Sequence, residues 1–321
     1  MATWLITGGC GFIGSHLADA LLARGDRVRV LDDLSTGRRA NLDARCVVIE
    51  GDVAADGVAA RAMEGVDGCW HLAAVASVVR ANEAWVACHR VNLTGTIQVL
   101  EAARHAASGG GPIPVVYASS AAVYGDNPAL PLSERSQVAP LTAYGADKLG
   151  SELHARVAAQ VHGVSSIGLR LFNVHGPRQD PASPYSGVIS IFARNILDRA
   201  PIRIHGDGGQ IRDFIFVGDV VRFLLRAMER AAGGGAQVFN VCTGQGISIG
   251  ELAALLFRLC GHAGEMHHDP PRAGDIRRSL GDPEQAAAGL GLRAEWSLEQ
   301  ALRLTLAGLS DPTINLARIG P

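Results

Sequence analysis

No apolar run in this chain approaches the ~18 residues of a membrane span, although 48% of its 321 residues are hydrophobic. That apolar content is expected to go into a compact core, either one large α/β domain or two smaller ones sharing a core. Charge imbalance is missing as well: the formal net charge is −2, so neither a nucleic-acid surface nor a disordered tail is expected. The six cysteines (Cys10, Cys46, Cys69, Cys88, Cys242 and Cys260) include no C-x-x-C pair. They lie mostly in apolar stretches, which predicts free, buried thiols in a reducing compartment. No basic segment with a cleavage site precedes the first apolar strand, so no signal peptide is expected and a cytoplasmic location is. His267-His268-Asp269 is the nearest approach to a metal-ligand group. Adjacent histidines on a Pro-rich loop read as solvated polar groups, and no metal is expected. There is no internal repeat.

The chain is organised around Thr7-Gly8-Gly9-Cys10-Gly11-Phe12-Ile13-Gly14. An apolar extended segment, Thr3–Ile6, precedes it. After it Phe12, Ile13, His16, Leu17, Ala20, Leu21 and Leu22 recur with a helical period up to Gly25. Strand, glycine turn and helix form the context in which glycines cradle a pyrophosphate. Gly8 permits a tight turn, Gly11 lets backbone approach the anion, and Gly14 lets helix pack close to strand. The helix N-terminus then offers its N–H groups. A second strand, 27–31, ends in Asp32-Asp33, close to the ~20-residue spacing expected of a carboxylate that binds an adenosine ribose. A carboxylate there repels a 2′-phosphate, which favours NAD over NADP; Arg38 and Arg39 follow and weaken that preference slightly.

Further strands are predicted at 47–50, 68–72 (ending in Ala73-Ala74) and 113–117, with a long helix over about 82–106. Strands alternating with helices at this spacing predict an α/β, doubly wound parallel sheet. The fifth strand runs into Ser119-Ser120, and a helix from about 143 to 161 carries Tyr144 and Lys148 four residues apart, on one face. Beyond Asn173 the pattern changes. A Pro/Ser/Gln-rich loop covers 177–187, and a helix (187–199), a strand (202–205), a helix (217–230) and a strand (237–241) follow. Capping boxes at Ser248/Glu251 and Ser297/Gln300 open helices at about 249–260 and 298–308. The C-terminal third is expected to form a smaller lobe over the carboxyl ends of the strands.

The glycine spacing, Asp52-Val53, His71-Leu72-Ala73-Ala74, Ser119-Ser120 and Tyr144-x-x-x-Lys148 together resemble the extended short-chain dehydrogenase/reductase family, with its Rossmann fold. The likeness is closest to its nucleotide-sugar 4-epimerases and spans residues from about 3 to 300. Leu169 to Arg178 resembles the block where the sheet hands over to the sugar side. Gly206 to Phe214 and Arg272-Ala273-Gly274-Asp275-Ile276 resemble the nucleotide-diphosphate clamps.

The resemblance implies Ser120, Tyr144 and Lys148 as catalytic residues. It implies an NAD site made of Gly8, Gly11, Phe12, Ile13, Gly14, Asp32, Asp33, Leu34, Ser35, Thr36, Gly37, Asp52, Val53, Leu72, Ala73, Ala74, Asn92, Tyr144, Lys148 and Phe172. Substrate would be held by Ser120, Asn173, Val188, Arg212, Arg272, Asp275 and Ser279. The implied division is an NAD-binding domain over 1–172, with returning segments at about 213–245, and a nucleotide-sugar lobe over 173–321. The implied reaction interconverts C4 epimers of UDP-sugars through a 4-keto sugar with tightly held NAD. Lys148 beside Tyr144, together with the positive nicotinamide ring of NAD, is expected to favour the phenolate. A UDP-hexuronate 4-epimerase is the alternative within this chemistry. A 4,6-dehydratase is disfavoured because Ala121-Ala122 stand where such enzymes carry an Asp-Glu pair, and a non-catalytic dinucleotide sensor would not need the intact triad. Ser279, seven residues past Arg272, is small where a tyrosine would exclude an N-acetyl group, so UDP-GlcNAc and UDP-GalNAc are expected substrates alongside UDP-Glc and UDP-Gal. A homodimer through the helices at about 82–106 and 143–161 is also expected.

Overall fold

The computed structural model describes residues 1–106, 111–181, 187–271, 276–311 and 314–316. The chain opens with β1 (Thr3–Thr7), α1 (Phe12–Ala23), β2 (Arg27–Asp32), β3 (Val47–Glu50), α2 (Val58–Met63) and β4 (Gly68–His71). Next come three short helices, α3 (Val78–Glu83), α4 (Trp85–His89) and α5 (Gly95–His105), then β5 (Val115–Ser120), α6 (Ala143–His162) and β6 (Ser166–Leu171). With β10 (Ala236–Val241) these strands form a seven-stranded sheet in the order β10-β6-β5-β4-β1-β2-β3. Every pair in it is parallel. The chain direction across the sheet reverses between β1 and β4, and a crevice opens at the carboxyl ends of strands at such a switch point.

Both faces of the sheet are covered, which is why its strands read as nearly continuous apolar runs. On one face α1 and α8 (Val217–Ala231) pack Leu17, Leu21, Val220, Phe223 and Leu224 against Ile6, Val30 and Leu169. On the other, α2, α5 and α6 bring Ala59, Met63, Val99, Ala103 and Ala155 onto Leu5, Leu31 and Val115.

The second sheet is built from four short strands: β7 (Asn173–His175), β9 (Ile211–Phe216), β11 (Gly246–Ser248) and β13 (Arg278–Ser279). A separate pair joins β8 (Ile202–His205) to β12 (Met266–Asp269). Helices α7 (Val188–Leu197), α9 (Ile249–Cys260) and α11 (Leu298–Ser310) enclose a core of Ile189, Phe192, Ile202, Leu252, Leu256 and Leu302; α10 (Glu284–Leu290) packs back on the large sheet through Ala286 and Leu290. Asp213, wholly buried in β9, ties this lobe together. Its carboxylate accepts from Thr243 N and Oγ1, Gly244 N and Gly281 N at 2.6–3.3 Å.

Two expectations are corrected. The long helix expected over about 82–106 is broken at its start: α3 is separate, and α4 runs on through a π turn into α5, ending at His105. Helix α3 begins earlier, at Val78, capped by Ser77, and the chain breaks at Ala84 (φ −129, ψ 55). A π turn over Arg90–Thr94 then leads into α5. The wider turn accompanies an inward Asn92, whose Oδ1 accepts from Val75 N at 2.8 Å and whose Nδ2 donates to Val75 O at 3.3 Å. The second correction is His267-His268-Asp269, which form strand rather than loop, because the backbone of 266–269 pairs in parallel with the edge of β8.

Candidate active site

The glycine turn is shaped by contacts that admit no side chain. Gly8 has φ +70, and a Cβ there would stand 2.6 Å from Ala73 N, at the end of β4. A Cβ on Gly14 would stand 2.4 Å from Gly8 O and 2.7 Å from Gly9 Cα, so α1 abuts the turn backbone to backbone. Gly11, the N-cap of α1, has only Gly8 O near its missing Cβ, at 3.2 Å, among the described residues. The open side of Gly11 and the first N–H groups of α1 therefore offer an anion-binding cradle.

Asp32 closes the β2 end of that cradle. It is 7% exposed, and its carboxylate accepts from Cys10 N and Leu34 N, both at 2.9 Å. Burial pushes its pKa up, and the two backbone bonds work against that shift. A carboxylate has lone pairs to spare beyond these two bonds, so a ribose hydroxyl fits as a further donor. The cradle and this carboxylate suit a dinucleotide.

From here a cleft of about 940 Å³ runs along the carboxyl ends of the strands. The expected cofactor residues Gly8, Gly11, Phe12, Ile13, Gly14, Asp32, Asp33, Ser35, Thr36, Gly37, Asp52, Val53, Leu72, Ala73, Ala74 and Phe172 all line it, as do Ser120, Tyr144, Lys148, Asn173 and Val188. Leu34 and Asn92 do not. Leu34 (φ +57) turns its side chain onto the large core, and Asn92 acts from behind the wall by holding Val75. Arg212 and Ser279 also stand outside the lining, directly opposite each other on β9 and β13. Arg272 and Asp275 lie outside the described residues.

The three catalytic candidates meet at the far wall. Ser120 ends β5, and Tyr144 lies in the first turn of α6, which is capped by Thr142 Oγ1 accepting from Gly145 N. Ser120 stands close enough to Tyr144 to pull its phenol's pKa down. Lys148, one turn on and 4% exposed, donates from Nζ to Ala118 O at 2.9 Å, with Nζ 5.7 Å from the Tyr144 ring centre. Burial pushes the Lys148 ammonium down to about 8, with the Asp147 carboxylate beside it resisting. In the protein alone the Tyr144 phenol is raised, because burial outweighs the influence of Ser120. Readying that phenol as a base requires further positive charge in the cleft.

A buried polar network holds these residues in place. Glu152, two turns beyond Tyr144 on α6, takes a two-pronged ion pair from Arg170 of β6, at 2.8 Å from Nε and 2.7 Å from Nη2. Ser119 Oγ also donates to Glu152 Oε1, at 2.5 Å. Arg170 reaches on to Tyr124 Oη at 2.9 Å, and Tyr124 donates to Asn240 Oδ1 at 2.6 Å. Near Lys148, buried His71 bridges Thr7 Oγ1 (2.7 Å) and Thr96 Oγ1 (3.1 Å). Burial, and secondarily the Lys148 charge, holds that imidazole neutral, at about 3.

The sequence pattern did not single out Glu152 or Arg170. A signal existed: Arg170 is a charge inside the apolar strand Ser166–Leu171, and Glu152 continues the Tyr144/Lys148 stripe by one more turn.

Residues 4–242 match the NAD dependent epimerase/dehydratase family. A UDP-glucose 4-epimerase of Mycolicibacterium smegmatis is 38% identical over 309 residues, covering 94% of this chain and 96% of that protein. The Thermus thermophilus UDP-glucose 4-epimerase, solved in complex with NAD, superposes with a TM-score of 0.88 at 34% identity, covering 96% of this chain and 99% of that one. A UDP-N-acetylglucosamine 4-epimerase from Methanobrevibacter ruminantium, solved with UDP-N-acetylmuramic acid, gives a TM-score of 0.89 at 31% identity, covering 96% and 98%. The chain belongs to the NAD dependent epimerase/dehydratase family, in the extended short-chain dehydrogenase/reductase group.

Proposed function

We propose that this protein is an NAD-dependent UDP-sugar 4-epimerase in which Tyr144, Ser120 and Lys148 carry the proton chemistry. The observation that carries it is the convergence of these three side chains on the wall of a cleft whose other end is the glycine cradle. Bound NAD supplies reversible hydride acceptance and, in its oxidised form, the positive charge that the raised Tyr144 phenol needs. Tyr144 Oη takes the proton from the sugar O4 and later returns it. Ser120 Oγ, beside the same phenol, relays that proton and orients O4. Lys148, anchored on Ala118 O, keeps an ammonium beside the ring as negative charge develops on it. Ala121 and Ala122 follow Ser120 and present no acid for eliminating a 6-hydroxyl, which disfavours dehydration.

The proposed diphosphate clamps are Arg212 and, beyond the described residues, Arg272 with Asp275; Asn173 and Val188 border the sugar end of the cleft. The proposed substrates are UDP-GlcNAc and UDP-GalNAc together with UDP-Glc and UDP-Gal. This rests on the sequence position of Ser279, seven residues past Arg272; its small side chain lies outside the cleft lining, paired in register with Arg212 of β9. A tyrosine there would overpack by ~1–3 kcal/mol or more against an acetamido group. The test is a panel of UDP-hexoses, UDP-N-acetylhexosamines and UDP-hexuronates followed by proton NMR, with Ser279→Tyr alongside. Acetylated and plain pairs should both equilibrate, and Ser279→Tyr should lose only the acetylated pair. Turnover of uronates alone, or undiminished UDP-GlcNAc turnover by Ser279→Tyr, would refute the assignment.

A further inference from the structure

Two opposed charges surround the adenosine end of the cleft. Asp32 and Asp33 disfavour a 2′-phosphate, whereas Arg38 and Arg39 would welcome one. The structure separates the two arginines. Arg39 is exposed and is not among the walls of the cleft, but Arg38 is. The Arg38 backbone N donates to Cys10 O at 3.0 Å, and Cys10 N in turn donates to Asp32. The preceding Gly37 lies so close that a Cβ on it would stand 2.9 Å from Asp32 Oδ1. Arg38 therefore starts beside the carboxylate assigned to the ribose.

Its guanidinium turns elsewhere. Nη2 donates across the cleft to Oδ2 of Asp180, in the segment that follows β7. That segment is fixed independently of Arg38. The neighbouring Arg178 side chain, 7% exposed, pairs with Asp19 at 2.7 Å and reaches Asn41 O and Ile314 O at 3.4 and 3.3 Å. Asp180 is thus presented to Arg38 by a buried ion pair belonging to other residues.

We propose that Asp180 is a determinant of cofactor choice: by engaging the Arg38 guanidinium it withholds from NADP a cation within reach of the ribose 2′-position. The proposal rests on the placement of the adenosine ribose at Asp32. A 2′-phosphate could recruit Arg38 only by stripping it from Asp180, which would leave a carboxylate facing the new dianion. Both effects oppose NADP and spare NAD, which carries no charge there. The Arg38 and Asp180 side chains are 66% and 34% exposed, and exposed ion pairs are weak. The expected effect is correspondingly a modest shift in selectivity rather than a reversal.

The experiment equilibrates the full-length protein with equimolar NAD and NADP, removes free nucleotide, and quantifies both bound forms by chromatography after denaturation. Asp180→Asn should raise the bound NADP:NAD ratio about three- to tenfold, and Asp180→Ala should do the same. Adding Arg38→Ala to Asp180→Asn should erase the gain, and Arg38→Ala alone should give none. An unchanged ratio in both folded Asp180 variants would overturn the proposal, as would a gain that survives loss of Arg38. Asp32→Ala separates the two levels of the argument. If it raises the ratio while the Asp180 variants do not, only the role of Asp180 falls; if all are flat, the ribose placement falls with it.

Discussion

Replacing Glu152 by alanine is expected to be among the costliest single changes outside the cradle. Glu152 and Arg170 are each 7% exposed in their side chains and joined by two short bonds. Removing one partner of such a pair leaves an uncompensated buried charge and costs about 3–5 kcal/mol. Ser119 Oγ also loses its acceptor, which adds about 1 kcal/mol. Against a typical stability of about 5–15 kcal/mol, Glu152→Ala should remove roughly a quarter or more of the total. The pair need not be favourable as a whole, since replacing both ions with apolar side chains of similar volume is often neutral. Glu152→Met with Arg170→Met should therefore be less destabilised than the sum of the single changes by about 2 kcal/mol or more. Urea unfolding followed by circular dichroism measures all four corners of the cycle. A loss below about 1 kcal/mol in Glu152→Ala, or strict additivity in the double variant, would show that the network does not hold α6 to β5 and β6 as argued.

Gly14→Ala should abolish NAD binding and lower stability, because its Cβ would meet Gly8 O at 2.4 Å; calorimetric titration with NAD reads this directly, and an unchanged affinity would contradict it. Acid should destabilise the protein through its buried histidines as pH falls below about 6.5. Burial holds His16 down at about 4 and His71 and His175 at about 3, against an unfolded value near 6.5. Their stability contribution is therefore complete above pH 6.5 and lost as pH falls toward 4, by several kcal/mol in all. A Tm that stays level from pH 7 to 4 would refute this. We also propose that a second copy of the chain covers Trp85 and Val86 of α4 and Val157 and Val161 of α6, which are 50–83% exposed. Light scattering should show a dimer at micromolar concentration that Val86→Asp with Val161→Asp converts to monomer; a monomeric unmodified protein would rule it out.

Most of the large sheet was legible because β1 to β4 and β10 are short apolar or alternating runs bounded by glycine or aspartate; β5, expected over 113–117, begins and ends later, at Val115–Ser120, and β6 was not marked out as a strand because Ser166, Gly168 and Arg170 interrupt its apolar run. That Tyr144 and Lys148 share a helix face was legible because they lie four residues apart in a helical stretch. The second sheet was not, since β7, β11 and β13 are two or three residues long and too short to show alternation. The break at Ala84 was hidden because no glycine or proline marks it. The depth of Tyr144 was hidden for another reason: sequence shows that a lysine is near, but how far burial raises the phenol before a cofactor is bound depends on the packed structure. Arg38 shows the same limit, since its partner, Asp180, is distant in sequence and becomes a neighbour only when β7 is placed.

The central claim is that Tyr144 moves a proton at O4 while the hydrogen on C4 leaves and returns as hydride. Its most direct test incubates the protein in D₂O with UDP-Gal and UDP-GalNAc and follows C4 by proton NMR. The account expects C4 epimers to form with their original protium at C4, and expects Tyr144→Phe, still folded and binding NAD, to be slower by on the order of 10³-fold. Deuterium at C4, absence of epimers, or near-normal turnover by Tyr144→Phe would contradict it.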